Sequence, residues 1–226
     1  MINLHIKRFN INESLDNNEN VLLIIENKKI LYDFLMDLNS GNNYLENIEA
    51  YDENNKKIKT CDLIDFVYSP MFIDVNQKKN LNLLIRIIKN DCENLIQEEV
   101  DEIKNKIESL FKLIRLDLNI DIESDIDFTN DDLLKSMNVF IKDTSSNPIE
   151  RIFNYIKVSI ELRKVRCFIF YGLYDFLTKN EIEELLLNCK YLNVKIINIE
   201  KNFDDKSLKF DKKYFLDNDL CVLRKD

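Results

Sequence analysis

Between Asn76 and Leu118 apolar residues fall at 81, 84, 85, 88, 92, 95, 96, 100, 103, 107, 110, 111, 114 and 118, with neither Gly nor Pro to interrupt them. The three-four spacing predicts one helical stripe sustained over about 40 residues. At 1.5 Å per residue such a helix runs on the order of 60 Å, with Asn90-Asp91 as the place for a break. It outgrows a compact domain of a 226-residue chain. It must project, and its stripe must be covered either by helices of the same chain or by another subunit. Two segments qualify as internal cover. Thr129 with Asp132 reads as a capping box before Leu133, Leu134 and Met137. Asn147-Pro148 reads as an N-cap with proline at the first helical position, opening a helix with Ile149, Ile152, Phe153, Ile156 and Ile160 on one face.

The flanking thirds have a different rhythm. Residues 2–9 alternate like an edge strand, and Val21-Leu22-Leu23-Ile24-Ile25 is a continuous apolar run typical of a strand buried on both faces. Ile30, Leu31, Phe34, Leu35 and Leu38 mark a helix stopped by Asn39-Ser40-Gly41. Residues 47–59 read as a hairpin turning at Glu53-Asn54-Asn55, and 63–68 as a further strand. After the helical stretch, 165–171 and 194–199 are strands separated by a helix that opens on a Thr178/Glu181 capping box. Strand, helix and strand within about 36 residues predict a right-handed parallel β-α-β unit. Residues 220–223 give a last short strand. The fold expected is α/β: a head formed by 1–75 and 161–226, split by an α-helical leg over 76–160.

Composition removes most catalytic chemistries. There are two glycines, Gly41 and Gly172, and one histidine, His5. A phosphate-cradling loop needs clustered glycines so that backbone amides can approach phosphate. The connection Glu26-Asn27-Lys28-Lys29 stands where such a loop would open a helix, and it has lysines but no glycine. The strand ending at Tyr171 is followed by Gly172 rather than by an acid that could hold magnesium; Asp175 is equally suited to capping its loop. A catalytic triad or imidazole zinc site could rest only on His5. The cysteines at 61, 92, 167, 189 and 221 form no C-x-x-C pair and are odd in number. Four lie in apolar stretches, which predicts reduced, packed thiols in a cytoplasmic protein. No signal-peptide pattern opens the chain, and no apolar run approaches the roughly 20 residues of a membrane span.

Net charge is −9 and unevenly spread. Residues 91–132 hold 14 Asp and Glu against 4 Lys and Arg, a balance of −10, and the rest of the chain balances at +1. Within that segment Asp117, Asp121, Glu123, Asp125, Asp127, Asp131 and Asp132 recur in a stretch without helical pattern. Carboxylates so spaced can converge on a hard cation such as calcium, though the EF-hand glycine and terminal glutamate are missing. A solvated linker, with Asp131 and Asp132 serving a helix dipole, is the plainer alternative. Basic residues cluster at Lys28-Lys29, Lys56-Lys57-Ile58-Lys59, Lys78-Lys79 and Arg163-Lys164-Val165-Arg166. Each alone is an ordinary solvated face. Summed over a symmetric oligomer they could line a surface for phosphates, indifferent to base sequence.

These residues bring a family into view. Phe72-Ile73-Asp74-Val75-Asn76, Leu116-Asp117-Leu118 and Leu134-Lys135-Ser136-Met137-Asn138-Val139 resemble, in order, the ring-forming adaptation protein of type II-A CRISPR systems, the Csn-two family. Arg163-Lys164-Val165-Arg166-Cys167-Phe168-Ile169-Phe170, Phe176-Leu177-Thr178-Lys179-Asn180-Glu181 and Tyr214-Phe215-Leu216 continue the likeness over nearly the whole chain. The resemblance implies a degenerate phosphate-loop-like α/β head without nucleotide turnover, and a helical leg. It implies a homotetrameric ring threaded by the end of double-stranded DNA and steadied by calcium, acting beside the CRISPR integrase proteins and the RNA-guided nuclease. The DNA-contacting candidates are Lys28, Lys29, Lys56, Lys57, Lys135 and Lys142. The calcium candidates are Asp117, Asp121, Glu123 and Asp125; the first two match the family's acidic stretch best, and this chain carries extra residues around 122–125. The rival expectation is a divergent metal-dependent nuclease or nucleotide hydrolase.

Overall fold

The structure, a computed structural model, describes residues 1–17, 19–91, 93–116, 123, 129–202 and 209–225. Two units are separated by contact, Met1–Val75 with Asp143–Asp226, and Asn76–Lys142. The first unit opens with β1 (Asn3–Ile6), β2 (Ile11–Ser14), β3 (Val21–Ile25), α1 (Lys28–Leu38), β4 (Ile48–Tyr51), β5 (Lys57–Ile58) and β6 (Ile64–Val67). The second unit holds α2 (Lys78–Asp91), α3 (Glu93–Leu116) and α4 (Asn130–Ser136). The first unit resumes with α5 (Pro148–Arg163), β7 (Cys167–Tyr171), α6 (Lys179–Tyr191), β8 (Lys195–Glu200), β9 (Lys212–Leu216) and β10 (Val222–Lys225).

The main sheet has the order β10-β9-β3-β8-β7-β6. Its members are parallel except β10, which returns antiparallel along β9. β3 lies between β8 and β9, so strands from the first and last thirds of the chain join one sheet. Every residue of β3 is buried, the reason its sequence is apolar without alternation. The β7-α6-β8 unit is parallel and adjacent, with Cys167 opposite Lys195. Its helix opens on the Thr178/Glu181 capping box, which satisfies amides that the first turn leaves without carbonyls.

A second sheet, β2-β1-β4-β5, is antiparallel. It corrects the reading of residues 2–9 as an edge strand, because β1 is internal, paired with β2 on one side and β4 on the other. The chain turns between β1 and β2 through Asn10, which takes the left-handed conformation at φ 50°. Asparagine tolerates that conformation better than most residues.

The helix α5, grouped with the leg on its apolar face alone, packs instead in the first unit. Ile152, Tyr155, Ile156 and Ser159 are buried. The Tyr155 hydroxyl donates to Asp65 of β6 at 2.5 Å, and its ring meets Phe168 of β7 edge-on at 6.4 Å. Arg163 pairs with the same carboxylate and donates to the Ser159 hydroxyl at 2.5 Å. Asp65 is 5% exposed, so a buried charge on β6 requires the cation that α5 delivers.

In the second unit the apolar stripe is carried by α2 and α3, the first ending at Asp91. The Thr129/Asp132 capping box starts α4, which lies against α3; Val100 and Leu134 are buried. The Asn76 amide donates to the Ile141 carbonyl at 3.0 Å and accepts from the Ile141 N–H at 2.7 Å, fastening the two ends of the unit. Farther along α3, Ile107, Leu110, Leu113, Ile114 and Leu116 are exposed. Among the described residues no helix is long and apolar enough to cross a membrane. Cys167 and Cys189 are buried, which pushes both thiols up to about 12. Cys61 and Cys221 are exposed, so packing of thiols holds for only two of the four described.

Candidate nucleic-acid interface

Between the last residue of β3 and the first of α1 stand two residues, Glu26 and Asn27. A loop that wraps phosphate in backbone amides needs more chain than this, and glycine to turn it. The amides of Lys29, Ile30 and Leu31 at the start of α1 are satisfied from within. The Asn27 side chain accepts from the Lys29 N–H at 3.1 Å and the Ile30 N–H at 3.2 Å, and its carbonyl accepts from Leu31 at 2.9 Å. The Glu26 N–H donates to the Leu216 carbonyl at 3.0 Å, holding the junction to the end of β9.

Ends of three parallel strands converge here. Lys201 and Asn202 follow β8, and Asn218 follows β9 by two positions. With Glu26, Asn27, Lys28 and Lys29 they line an open cleft of about 510 Å³. The cleft sits outside the carboxyl ends of the strands beside β3, where open α/β sheets place their ligands. Lys28, Lys29 and Lys201 are exposed and have no ion-pair partner among the described residues. The half-buried Glu26 is the one carboxylate in the lining; the Asn218 amide reaches it at 3.5 Å, and Asn27 donates to the Asn218 carbonyl at 3.3 Å.

The next strand ends differ. Gly172 follows β7 at φ +70°, a conformation that favours glycine, and a Cβ there would stand 2.9 Å from Asp175 Oδ2, so a larger residue would also have to displace that carboxylate. Glu200, the last residue of β8, accepts from the Tyr174 N–H at 3.2 Å and the Asn198 amide at 2.8 Å. Burial pushes its carboxyl up against the lowering effect of those two bonds. Among the described residues no group of three or more His, Cys, Asp or Glu side chains could hold a metal ion. His5 lies on β1 with Nδ1 2.8 Å from Asn12 Oδ1 of β2.

The remaining basic candidates are scattered. Lys56 and Lys57 are exposed at the hairpin between β4 and β5. Lys57 is committed to Glu49 at 2.8 Å and stands 5.5 Å from the centre of the Tyr44 ring. Its hydrogen bond above all, with those of Tyr51 and Lys7, holds the Glu49 carboxyl down to about 2. Lys135 on α4 lies 3.7 Å from Asp132, and Lys142 is exposed near the end of the second unit. Of the calcium candidates, Glu123 is exposed, and Asp117, Asp121 and Asp125 lie outside the described residues. The cleft thus unites Lys28 and Lys29 with Lys201, Asn202 and Asn218, none of which the sequence reading singled out. For Lys201 and Asn202 the one signal was position just after a late strand, which becomes informative only once the strand order is known; Asn218 follows β9, a strand the sequence analysis did not place.

An α/β protein with a shortened, self-capped strand-to-helix junction and an inserted helical unit is the class these features define. The profile of the family described as CRISPR-associated protein (Cas_Csn2) matches residues 41–220, and the chain belongs to that family. It is similar to CRISPR-associated protein Csn2 of Streptococcus agalactiae, with 28% identity over 183 residues, 76% of this chain and 78% of that one. The crystal structure of Stu0660 of Streptococcus thermophilus has a similar fold, with a TM-score of 0.57 at 11% identity over 99% of this chain and 76% of the other. The β3–α1 junction precedes the span that the family profile matches.

Proposed function

We propose that this chain assembles as a homotetrameric ring that binds the ends of double-stranded DNA without reading their sequence. In this reading it does no covalent chemistry and serves spacer acquisition, and so antiviral defence, in the cytoplasm. Its partners are the CRISPR integrase proteins and the RNA-guided nuclease. The observation that carries the reading is the β3–α1 junction, which is followed by two lysines without an ion-pair partner among the described residues, while its length and the Asn27 cap remove the amide nest that nucleotide hydrolysis needs. Membership of a CRISPR-associated family supports the cellular role. The exposed Ile107, Leu110, Leu113, Ile114 and Leu116 on α3 support self-association, since an apolar face of this size is more stable covered.

Lys28, Lys29, Lys56, Lys57, Lys135 and Lys142 supply phosphate contacts, summed over the copies of the ring. Asp117, Asp121, Glu123 and Asp125 would hold calcium. An all-oxygen donor set suits that hard cation, and the bound ion would offset the acidic excess of residues 91–132.

Affinity for a linear duplex is expected to fall by about 10³-fold or more between about 50 and about 200 mM salt, as counterions released by phosphate contacts dictate. Light scattering with calcium and linear duplex is expected to give four copies. Equal affinity for closed circular DNA, or a lone subunit under all ionic conditions, overturns the proposal. Nucleotide turnover or DNA cleavage with magnesium would favour the enzymatic rival.

A further inference from the structure

We infer that the cleft beyond β3, β8 and β9 holds a terminal phosphate group, supplied by a nucleic-acid strand end; the source, though not the phosphate chemistry, rests on the DNA-end reading above. Three lysines from two distant chain segments, Lys28 with Lys29 and Lys201, line one concavity and have no carboxylate partner among the described residues. Other lysines of the first unit are engaged, as Lys57 is on Glu49 and Lys190 is on Asp211 at 2.6 Å. Against Glu26 the three lysines leave the lining at +3 − 1 = +2. A phosphate monoester carries nearly two negative charges at neutral pH, and a backbone diester only one. The charge of the cleft therefore matches a strand terminus better than an internal linkage.

The lining also says what is not held. Every residue in it is Lys, Asn or Glu, so no aromatic ring is present in the lining to stack a base. The group recognised is the phosphate, with the attached nucleoside left outside. The amides of Lys29 and Ile30 do not join in, because the Asn27 side chain already occupies them. Recognition falls to side chains, and Lys201 is the decisive one. It arrives from the end of β8 and brings the cleft a charge that the junction alone does not have.

The test uses the full chain and blunt duplexes that differ only in carrying terminal phosphates or hydroxyls, read by fluorescence anisotropy. Phosphorylated ends are expected to bind about tenfold more tightly, the worth of one charge-assisted hydrogen bond. Lys201→Ala is expected to erase that ratio while leaving affinity for hydroxyl ends in place. Lys201→Gln, which keeps length and polarity, serves if the alanine variant folds poorly. Inorganic pyrophosphate should compete against the phosphorylated duplex alone. Equal affinity of wild type for the two ends overturns the inference and leaves DNA-end binding standing. Absence of binding to either duplex overturns the DNA-end reading; calorimetry with pyrophosphate then decides the cleft, where heat lost in Lys201→Ala supports a phosphate site and no heat refutes it. Tighter binding of a free nucleoside triphosphate than of the phosphorylated duplex would refute the strand-end source.

Discussion

Lysines gather at both ends of β3, and the two groups are used in opposite ways. At the amino end, Lys195 and Lys212 begin β8 and β9 and close on Glu13 of β2. The Lys195 and Glu13 side chains are 0% exposed; the ammonium stands 3.0 Å from Glu13 Oε2 and donates to the Glu19 carbonyl at 2.7 Å. Lys212 reaches Glu13 at 3.2 Å, and the Tyr214 hydroxyl donates to Glu13 at 2.9 Å. These bonds tie the antiparallel sheet to the main one. At the carboxyl end, Lys28, Lys29 and Lys201 face an open cleft with no committed partner among the described residues. The contrast shows that a count of lysines says little about a charged surface. A cation buried on a carboxylate holds the fold, and only an unpaired one presents a field to a ligand.

The sharpest way to break this comparison is Glu13→Ala. It strands Lys195 in the core without its carboxylate and is expected to cost about 3–5 kcal/mol in urea unfolding. Lys28→Ala in the same assay is expected to stay within about 0.5 kcal/mol of wild type. Similar losses for both would erase the distinction. Lys28→Ala combined with Lys29→Ala is expected to lower affinity for linear duplex by about tenfold or more. The dependence of log affinity on log salt should become shallower by about two for each subunit whose Lys28 and Lys29 both touch phosphate. Unaltered salt dependence would place the DNA surface elsewhere.

Asn27→Ala is expected to destabilise by about 1 kcal/mol in thermal or urea unfolding, because the amides of Lys29 and Ile30 lose their cap. A neutral result would mean that the junction is held by its backbone bonds alone. The smallest effect belongs to the hairpin. The Glu49 carboxyl is held down from 4.5 to about 2, so its share of stability is present above about 4.5 and is lost as pH falls toward about 2. Solvent screening at this surface pair keeps that share under about 1 kcal/mol. Lys57→Ala should flatten the acid limb of the urea midpoint across that window.

Local chemistry was legible because it is complete within a few residues. The Thr178/Glu181 and Thr129/Asp132 boxes and the Asn147-Pro148 start each open a helix where the sequence places them. β3 announces itself by being buried on both faces. β2 and β9 did not, since Ile-Asn-Glu-Ser and Lys-Lys-Tyr-Phe-Leu read as half solvated. They sit where they do because Glu13 and Lys212, 199 positions apart, satisfy each other. The destination of α5 was equally hidden: its apolar face suits a helix or a sheet, and the choice was made by Asp65 buried in β6.

Taken alone, two glycines in 226 residues and a Glu26-Asn27-Lys28-Lys29 connection without glycine already exclude an amide nest for phosphate, because turning a backbone around an anion is a local steric requirement. Helix starts and the β-α-β order are decided in the same way, by neighbours along the chain. Which lysines are neutralised and which stay free was decided by strand order, since charges pair across a few ångströms of space whatever their separation in sequence. Placing β8 beside β3 brings Lys201 to the junction, and bringing β2 over the strand starts removes Lys195 and Lys212 from solvent contact or nearly so.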